Sequence, residues 1–317
     1  MRGKPTGLMK LLDFAKSHSR LLALVVLALV TVVGLASLFM GDWHASLAYW
    51  KGGTDTLAAA FGVQTLNVIY DMVVWLWLLR LFGIRVAPLR GVVIYLCGFA
   101  GLLLPLQLGR FVRSEALARM GVARFRQAAK AEVVILFFGG AGAVAACTGL
   151  GAYLFRPWLA PLVMAAVVAA FLLGADRLLR LFAKERLVLA EGFWRRPEVF
   201  AVALLVMAGW FINGFALYLV VRDLPGDFGL WQALFMAPAS MLVGAVSGLP
   251  GGIGAIEGFL GVSLKFMRVP SGHLALAVGA FRLISLWLWI PIGWVALTST
   301  GRMRAVGVQE DNDGGRK

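Results

Sequence analysis

Apolar residues run along this chain in long blocks, at about 21–40, 57–79, 91–108, 132–155, 157–175, 199–221, 230–248, 250–264 and 274–299. Short polar segments separate them. Several blocks reach the ~20 residues that an α-helix needs to cross the hydrocarbon core of a bilayer. The pattern therefore predicts a bundle of membrane helices. Two blocks break it: Pro105 sits within the region 91–118, and Pro250 with four nearby glycines within 230–264. A full crossing tolerates such breaks poorly, because lipid offers no partner to a freed backbone group.

The distribution of Lys and Arg decides which blocks cross. If 91–118 enters from the cytoplasm, turns at Pro105 and returns, the cytoplasmic side holds five Lys/Arg in 1–20, nine in 80–130, six in 176–198 and four in 302–317, 24 in all. The outside then holds five: Lys51, Arg156, Arg222, Lys265 and Arg268. A full crossing at 91–108 would scatter these charges over both sides. The asymmetry favours the hairpin, since basic loops stay cytoplasmic. Carried forward, 230–264 enters from the outside and turns near Pro250. The predicted fold is an all-α polytopic membrane protein with about six full transmembrane helices, two re-entrant hairpins and both termini cytoplasmic. Its regions are a basic N-terminus at 1–20, a membrane domain at 21–300 and a polar tail at 301–317.

The hairpins share a pattern, "LPLQLGRF" from Leu104 and "LPGGIGAI" from Leu249. One opens to the cytoplasm and the other to the outside, each flanked by a span. This is the layout of an inverted repeat, with repeat one at about 57–155 and repeat two at about 199–299. Gly244, Gly248 and Gly252 recur every four residues and predict one bare face for close helix approach. Pro250 is expected to end the inbound helix, Gly251–Gly252 to form the turn, and a new helix to start near Gly254. Its free N–H groups, and those of a second half-helix near Gly109, would favour an anion.

Ionisable residues inside a membrane are costly and call for a reason. Glu257 and Arg282 are the expected buried pair, lining the cavity or bridging hairpin to span. Asn67 and Asp71 stand four apart on one face of a span, toward the cavity or toward a neighbouring helix. Glu132 starts its span at the interface, either solvated or paired with Arg110 or Arg113. Arg110 and Arg113 lie three apart on the outbound half-helix, placed to draw in a phosphate or to face anionic lipid. Asn213 reads as glue between helices. Trp43, Trp50, Trp158 and Trp194 fall near span ends, as interfacial anchors do.

Composition agrees. Of 317 residues, 61% are hydrophobic and 15% charged, and the mean hydropathy is +0.85. The net charge of +14 is a topology signal here and not a nucleic-acid footprint. Residues 21–40 read as a retained span, without a clear A-x-A cleavage site. Cys97 and Cys147 form no CxxC and predict no disulfide framework. No phosphate-binding G-x-x-x-x-G-K-[ST], H-E-x-x-H or G-x-S-x-G occurs, so no ATP drive, zinc site, serine nucleophile or cofactor is expected. If transport is coupled to protons, Glu257, Glu132 and Asp71 are the candidate carriers.

"GFAGLLLPLQLGR" at 98–110, "LPGGIGAIEGFL" at 249–260 and "AFRLISLWLWIPIGW" at 280–294 resemble the lysylphosphatidylglycerol synthase transmembrane family, the flippase-like domain. The resemblance covers most of the chain. It implies lipid translocation, with Pro105, Gly109, Pro250, Gly251, Gly252, Gly254, Glu257 and Arg282 at motif positions. The family's Gly-Glu is Gly109–Arg110 here, and its Pro-Gly-Arg is Pro105–Leu106–Gln107. These departures point toward a more anionic or less cationic headgroup. The aminoacyl-transfer domain is not expected, with about 17 residues after the last span. The partners implied are membrane lipids, with room for a separately encoded lipid-modifying enzyme and for oligomers. Two alternatives stay open. One is a membrane-embedded transferase using Asp71 or Glu132 on a lipid-linked substrate. The other is a non-transporting accessory subunit of a lipid or glycan assembly system.

Overall fold

The structure, a computed structural model, describes residues 52–102, 109–183, 189 and 192–300. Every regular element among them is helical. In chain order these are α1 Thr54–Leu81, α2 Pro88–Cys97, α3 Phe111–Arg119, α4 Phe125–Tyr153, α5 Leu159–Ala183, α6 Pro197–Val221, α7 Leu230–Ser247, α8 Ala255–Phe266 and α9 Ser271–Arg282. A tight turn, Gly98–Gly101, extends α2, and a π-turn, Leu283–Trp287, carries α9 on toward Thr300. The predicted span 21–40, Trp43, Trp50, the turn at Pro105 and the tail 301–317 lie outside the described residues.

Among the described residues, six helices are long and apolar enough to cross a membrane: Thr54–Leu81, Phe125–Tyr153, Leu159–Leu178, Pro197–Val221, Leu230–Ser247 and Ser271–Thr300. This set includes α7, which the charge pattern assigns to a hairpin. Its 18 residues rise roughly 27 Å at the usual 1.5 Å per residue. The 12 residues of α8 rise only about 18 Å.

The chain doubles back twice. In the second hairpin α7 and α8 pack together, and Asp227 N–H donates to Met267 O at 2.8 Å, so the segments before α7 and after α8 lie side by side. In the first, α2 packs on α3, and the Gln127 side chain donates to Phe82 O at 2.8 Å across its open end. Helix α6 relates the two. Its first half, with Val199, Val202 and Ala203, joins the apolar cluster around the first hairpin. Its second half, Leu217–Val221, joins the cluster around the second. The two hairpins thus pack against opposite halves of α6. Close backbone approach holds the bundle: a Cβ at Gly142 would lie 2.9 Å from Met207 Cα, and one at Gly214 2.7 Å from Leu234 Cα.

Charge follows the open ends of the hairpins. Arg80, Arg85, Arg90, Arg119, Arg124 and Arg126 are exposed around the open end of the first hairpin. Around that of the second, Arg222 and Arg268 are matched by Asp223 and Asp227, at 3.4 and 3.2 Å.

The second hairpin turns for a different reason than the sequence suggests. Helix α7 ends before Pro250, at Gly248, whose φ of 67° only glycine adopts without strain. Gly251, Gly252 and Gly254 also have positive φ. Gly244, Gly248 and Gly252 therefore do not share one helical face. Gly244 and Gly252 instead oppose each other across the hairpin, where a Cβ on Gly252 would lie 3.0 Å from Gly244 Cα and 2.6 Å from Ile256 Cδ1. The tight contact lies within the hairpin, not against neighbouring helices. Trp194 is also not an exposed anchor: it is buried against Phe137, Phe138 and Phe193, and donates to Asp176 Oδ1 at 2.9 Å. Trp158 is exposed, and both cysteines are free thiols.

Candidate functional site

A cavity of about 450 Å³ lies between α1, the first hairpin, α4, α6, the second hairpin and α9. The hairpin tips adjoin at its wall, where a Cβ on Gly251 would sit 3.5 Å from Leu102 O. Bare backbone leaves the room. Gly139 and Gly140 line it from α4 and Gly209 from α6, and a Cβ on Gly209 would crowd Asp71 Oδ1 at 2.9 Å.

One face of α1 supplies Gln64, Asn67, Asp71 and Trp75, all lining the cavity. Steps of three or four residues keep them on one side of a helix. Gln64 Oε1, Asn67 Oδ1, Asn213 Oδ1 and Ser285 Oγ are buried without a hydrogen-bond partner, and all four residues line this space. Buried polar atoms in folded proteins are nearly always satisfied, so orphans gathered on one cavity call for a polar occupant or water. Asn213 lines the cavity, and its Oδ1 makes no hydrogen bond to a neighbouring helix among the described residues.

The three arginines that line the cavity differ in their partners. Arg113 is buried and committed. Its guanidinium lies 4.0 Å from the Tyr95 ring centroid, its Nε donates to Tyr95 O at 3.1 Å, and its Nη1 stands 3.9 Å from Glu132 Oε2. Gly98 lies directly beneath Arg113, leaving no space for a side chain. Glu132 Oε1 accepts a 2.7 Å hydrogen bond from Trp75 Nε1. The sequence places Glu132 at an interface, but α4 starts at Phe125, so Glu132 lies two turns inside and is fully buried. Its ion pair is with Arg113, not Arg110.

Arg282 is likewise committed. Its Nε donates to Glu257 Oε1 at 2.6 Å and its Nη2 to Gly251 O at 2.8 Å. Glu257 Oε2 accepts Gly254 N–H at 2.6 Å, capping α8 at its third position. This corrects the expectation of an open anion site at that helix start: the chain's own carboxylate fills it. Glu257 and Glu132 stand behind Arg282 and Arg113 and do not line the cavity.

Arg110 is different. It lines the cavity just before α3, beside Gly109, and makes no hydrogen bond or ion pair among the described residues. Asp71 lines the same cavity and is equally without such a partner. Among the described residues, the site thus holds one available cation and one available anion.

Glu132→Ala should be among the costly substitutions. It strands the buried Arg113 charge and the Trp75 N–H, and breaking a buried pair from one side costs ~3–5 kcal/mol. Thermal unfolding in detergent should show a large loss. A melting temperature equal to wild type would rule out the pairing.

Sequence reading missed Gln64, Trp75, Tyr95, Gly209 and Ser285 as cavity residues. A signal existed for two of them, since Gln64 and Trp75 continue the Asn67–Asp71 stripe along α1. Nothing local marks Tyr95, Gly209 or Ser285, which are joined only by packing.

No curated protein matches the chain. Across residues 20–293 it matches the model of the lysylphosphatidylglycerol synthase TM region. An all-helical bundle with apolar helices of membrane length, and a match over most of its 317 residues, show that this chain is a member of the lysylphosphatidylglycerol synthase transmembrane family.

Proposed function

We propose that this protein moves a lipid with an anionic or zwitterionic headgroup across the bacterial inner membrane. The observation that carries this reading is the polar cavity at the adjoining hairpin tips, with Arg110 and Asp71 available and several polar atoms without partners. In this reading the two helical hairpins are re-entrant, and both termini are cytoplasmic. The basic end of the bundle faces the cytoplasm, as the Lys/Arg bias requires. The headgroup enters the cavity, its phosphate meets Arg110, and the acyl chains stay in lipid. Rocking of the two repeats about the hairpin tips alternates access.

The test is lipid translocation in proteoliposomes without ATP, followed by dithionite quenching of acyl-labelled lipids. Wild type should exceed protein-free liposomes. Arg110→Gln should slow translocation about tenfold or more, since a hydrogen bond to a charged group contributes ~1.5–3 kcal/mol. Its melting temperature should fall only modestly, because Arg110 makes no hydrogen bond or ion pair among the described residues and Asp71, left without a cation, can take up a proton. A folded Arg110→Gln protein that works at full rate would remove Arg110 from the site. Wild type no faster than empty liposomes would sink the function.

The transferase alternative has one observation in its favour, the unpartnered Asp71 carboxylate in the cavity. Glu132 cannot serve it, being held by Trp75 and Arg113. Turnover of a labelled lipid-linked donor would decide for it. No observation favours the accessory-subunit reading.

A further inference from the structure

The described groups around the cavity are balanced in charge when it is empty. Arg113 is offset by Glu132 and Arg282 by Glu257. Arg110 and Asp71 then remain, one cation and one anion. Residues 103–108 read Leu-Leu-Pro-Leu-Gln-Leu and add no charge.

Asp71 shares the cavity with Arg110 and Arg113 from the first hairpin and Tyr95 from α2. Glu132 on α4 lies behind Arg113. From α6 it meets Gly209, with Trp210 and Asn213 nearby on the cavity wall, none of them charged. Arg282 lines the same cavity from α9 but is engaged by Glu257. On its own helix, the Tyr70 hydroxyl donates to Leu205 O at 2.8 Å and is occupied.

A headgroup carrying one phosphate charge upsets this balance. Once its oxygens engage Arg110, Asp71 is left as an uncompensated carboxylate inside an apolar bundle. Ionised groups without a partner are strongly disfavoured there. One proton on Asp71 restores neutrality. The other two carboxylates of the site are engaged: Glu257 by Arg282 and Gly254 N–H, Glu132 by Trp75 at Oε1, while its Oε2 lies 3.9 Å from Arg113 without a hydrogen bond.

We propose that Asp71 binds one proton with each monoanionic headgroup that Arg110 takes up, and releases it with the lipid on the other side. Lipid movement is then coupled to the proton gradient. The inference rests on the translocation reading and deepens it. The step needs no covalent change in the lipid. The phosphate exchanges water for the guanidinium, and one proton passes from bulk water to an Asp71 carboxylate oxygen. Both leave together.

The experiment uses the full chain in liposomes with acyl-labelled phosphatidylglycerol, dithionite outside, and the interior either acidified or at matched pH. An acid interior should speed the arrival of label in the outer leaflet several-fold, and a protonophore should abolish the gain. Label that moves at one rate with and without the gradient overturns the coupling while leaving translocation intact. Label that moves no faster than in protein-free liposomes overturns the translocation reading, and the coupling with it. In Asp71→Asn the ratio of rates with and without the gradient should fall to one. A ratio equal to wild type overturns the assignment to Asp71. Should that variant carry no lipid, carbodiimide labelling of wild type decides. Phosphatidylglycerol should raise modification at Asp71 above that at Glu132 and Glu257, and no rise overturns the assignment.

Discussion

Glu257→Ala is expected to destabilise this protein far more than Arg282→Ala, although the two substitutions remove the same ion pair. The reason is unequal burial. The Arg282 side chain is 2% exposed and that of Glu257 28%. Without Glu257, the Arg282 charge stays inside the bundle with only Gly251 O, and α8 loses its cap at Gly254 N–H. Stranding a buried charge costs ~3–5 kcal/mol, the partial exposure placing this case toward the lower end. The lost cap adds about 1 kcal/mol. Without Arg282, Glu257 keeps Gly254 N–H and some exposure, so its charge is tolerated better. Glu257→Gln should fall between, since an amide still accepts from Arg282 or Gly254. Melting curves of the three variants check the order. Equal losses for Glu257→Ala and Arg282→Ala would mean that the pair acts only through mutual attraction, and the cap reading would fail.

Gly109→Ala is expected to yield almost no folded protein. A Cβ there would overlap the carbonyl of Gly101, and a Cβ on Gly101 would strike the Gly109 backbone in return. Neither contact can be relieved by turning a side chain, because both partners are backbone. Overpacking of ordinary cores costs about 1–3 kcal/mol, and a backbone collision belongs above that range. The first hairpin would have to open, taking Arg110 and the wall at Leu102 with it. Gly139→Ala and Gly140→Ala are the matched controls. A Cβ at either meets nothing within 4 Å, yet both positions line the cavity. These two should express and melt like wild type while narrowing the space for a headgroup. Size-exclusion profiles and yields after purification separate the cases. A monodisperse Gly109→Ala protein at wild-type yield would refute the backbone contact.

The two predictions bear on different kinds of information. The Gly109 position was marked by the shared Leu-Pro-x-x-[Leu/Ile]-Gly pattern, but its partner Gly101 was not, since eight residues of chain separate them. Glu257 and Arg282 were named together because two opposite charges in apolar blocks have few other ways to be accommodated. That Glu257 also caps α8 depends on the backbone at Gly254, with its φ of 84°. No spacing rule reveals that the expected anion site at this helix start is already filled.

The sequence by itself determined that the chain is a bundle of membrane-length helices, because length and apolarity are properties of each block alone. It also located the glycine-rich break of the second hairpin, since clustered Gly interrupts a helix wherever it stands. The charged residues near the cavity were legible for a similar reason: in apolar surroundings each one is conspicuous. Only the tertiary structure decided which of those charges remain available. Arg110, Arg113 and Arg282 look alike in sequence, but Glu132 and Glu257 reach only two of them, through contacts 19 and 25 residues apart along the chain. The stripe on α1 became one wall of a cavity only because Gly209 on α6 and Gly139 and Gly140 on α4 withhold side chains opposite it. Local pattern fixes what each helix is. Which polar atoms find partners is set by distances between helices, and that is where the available charges at Arg110 and Asp71 arise.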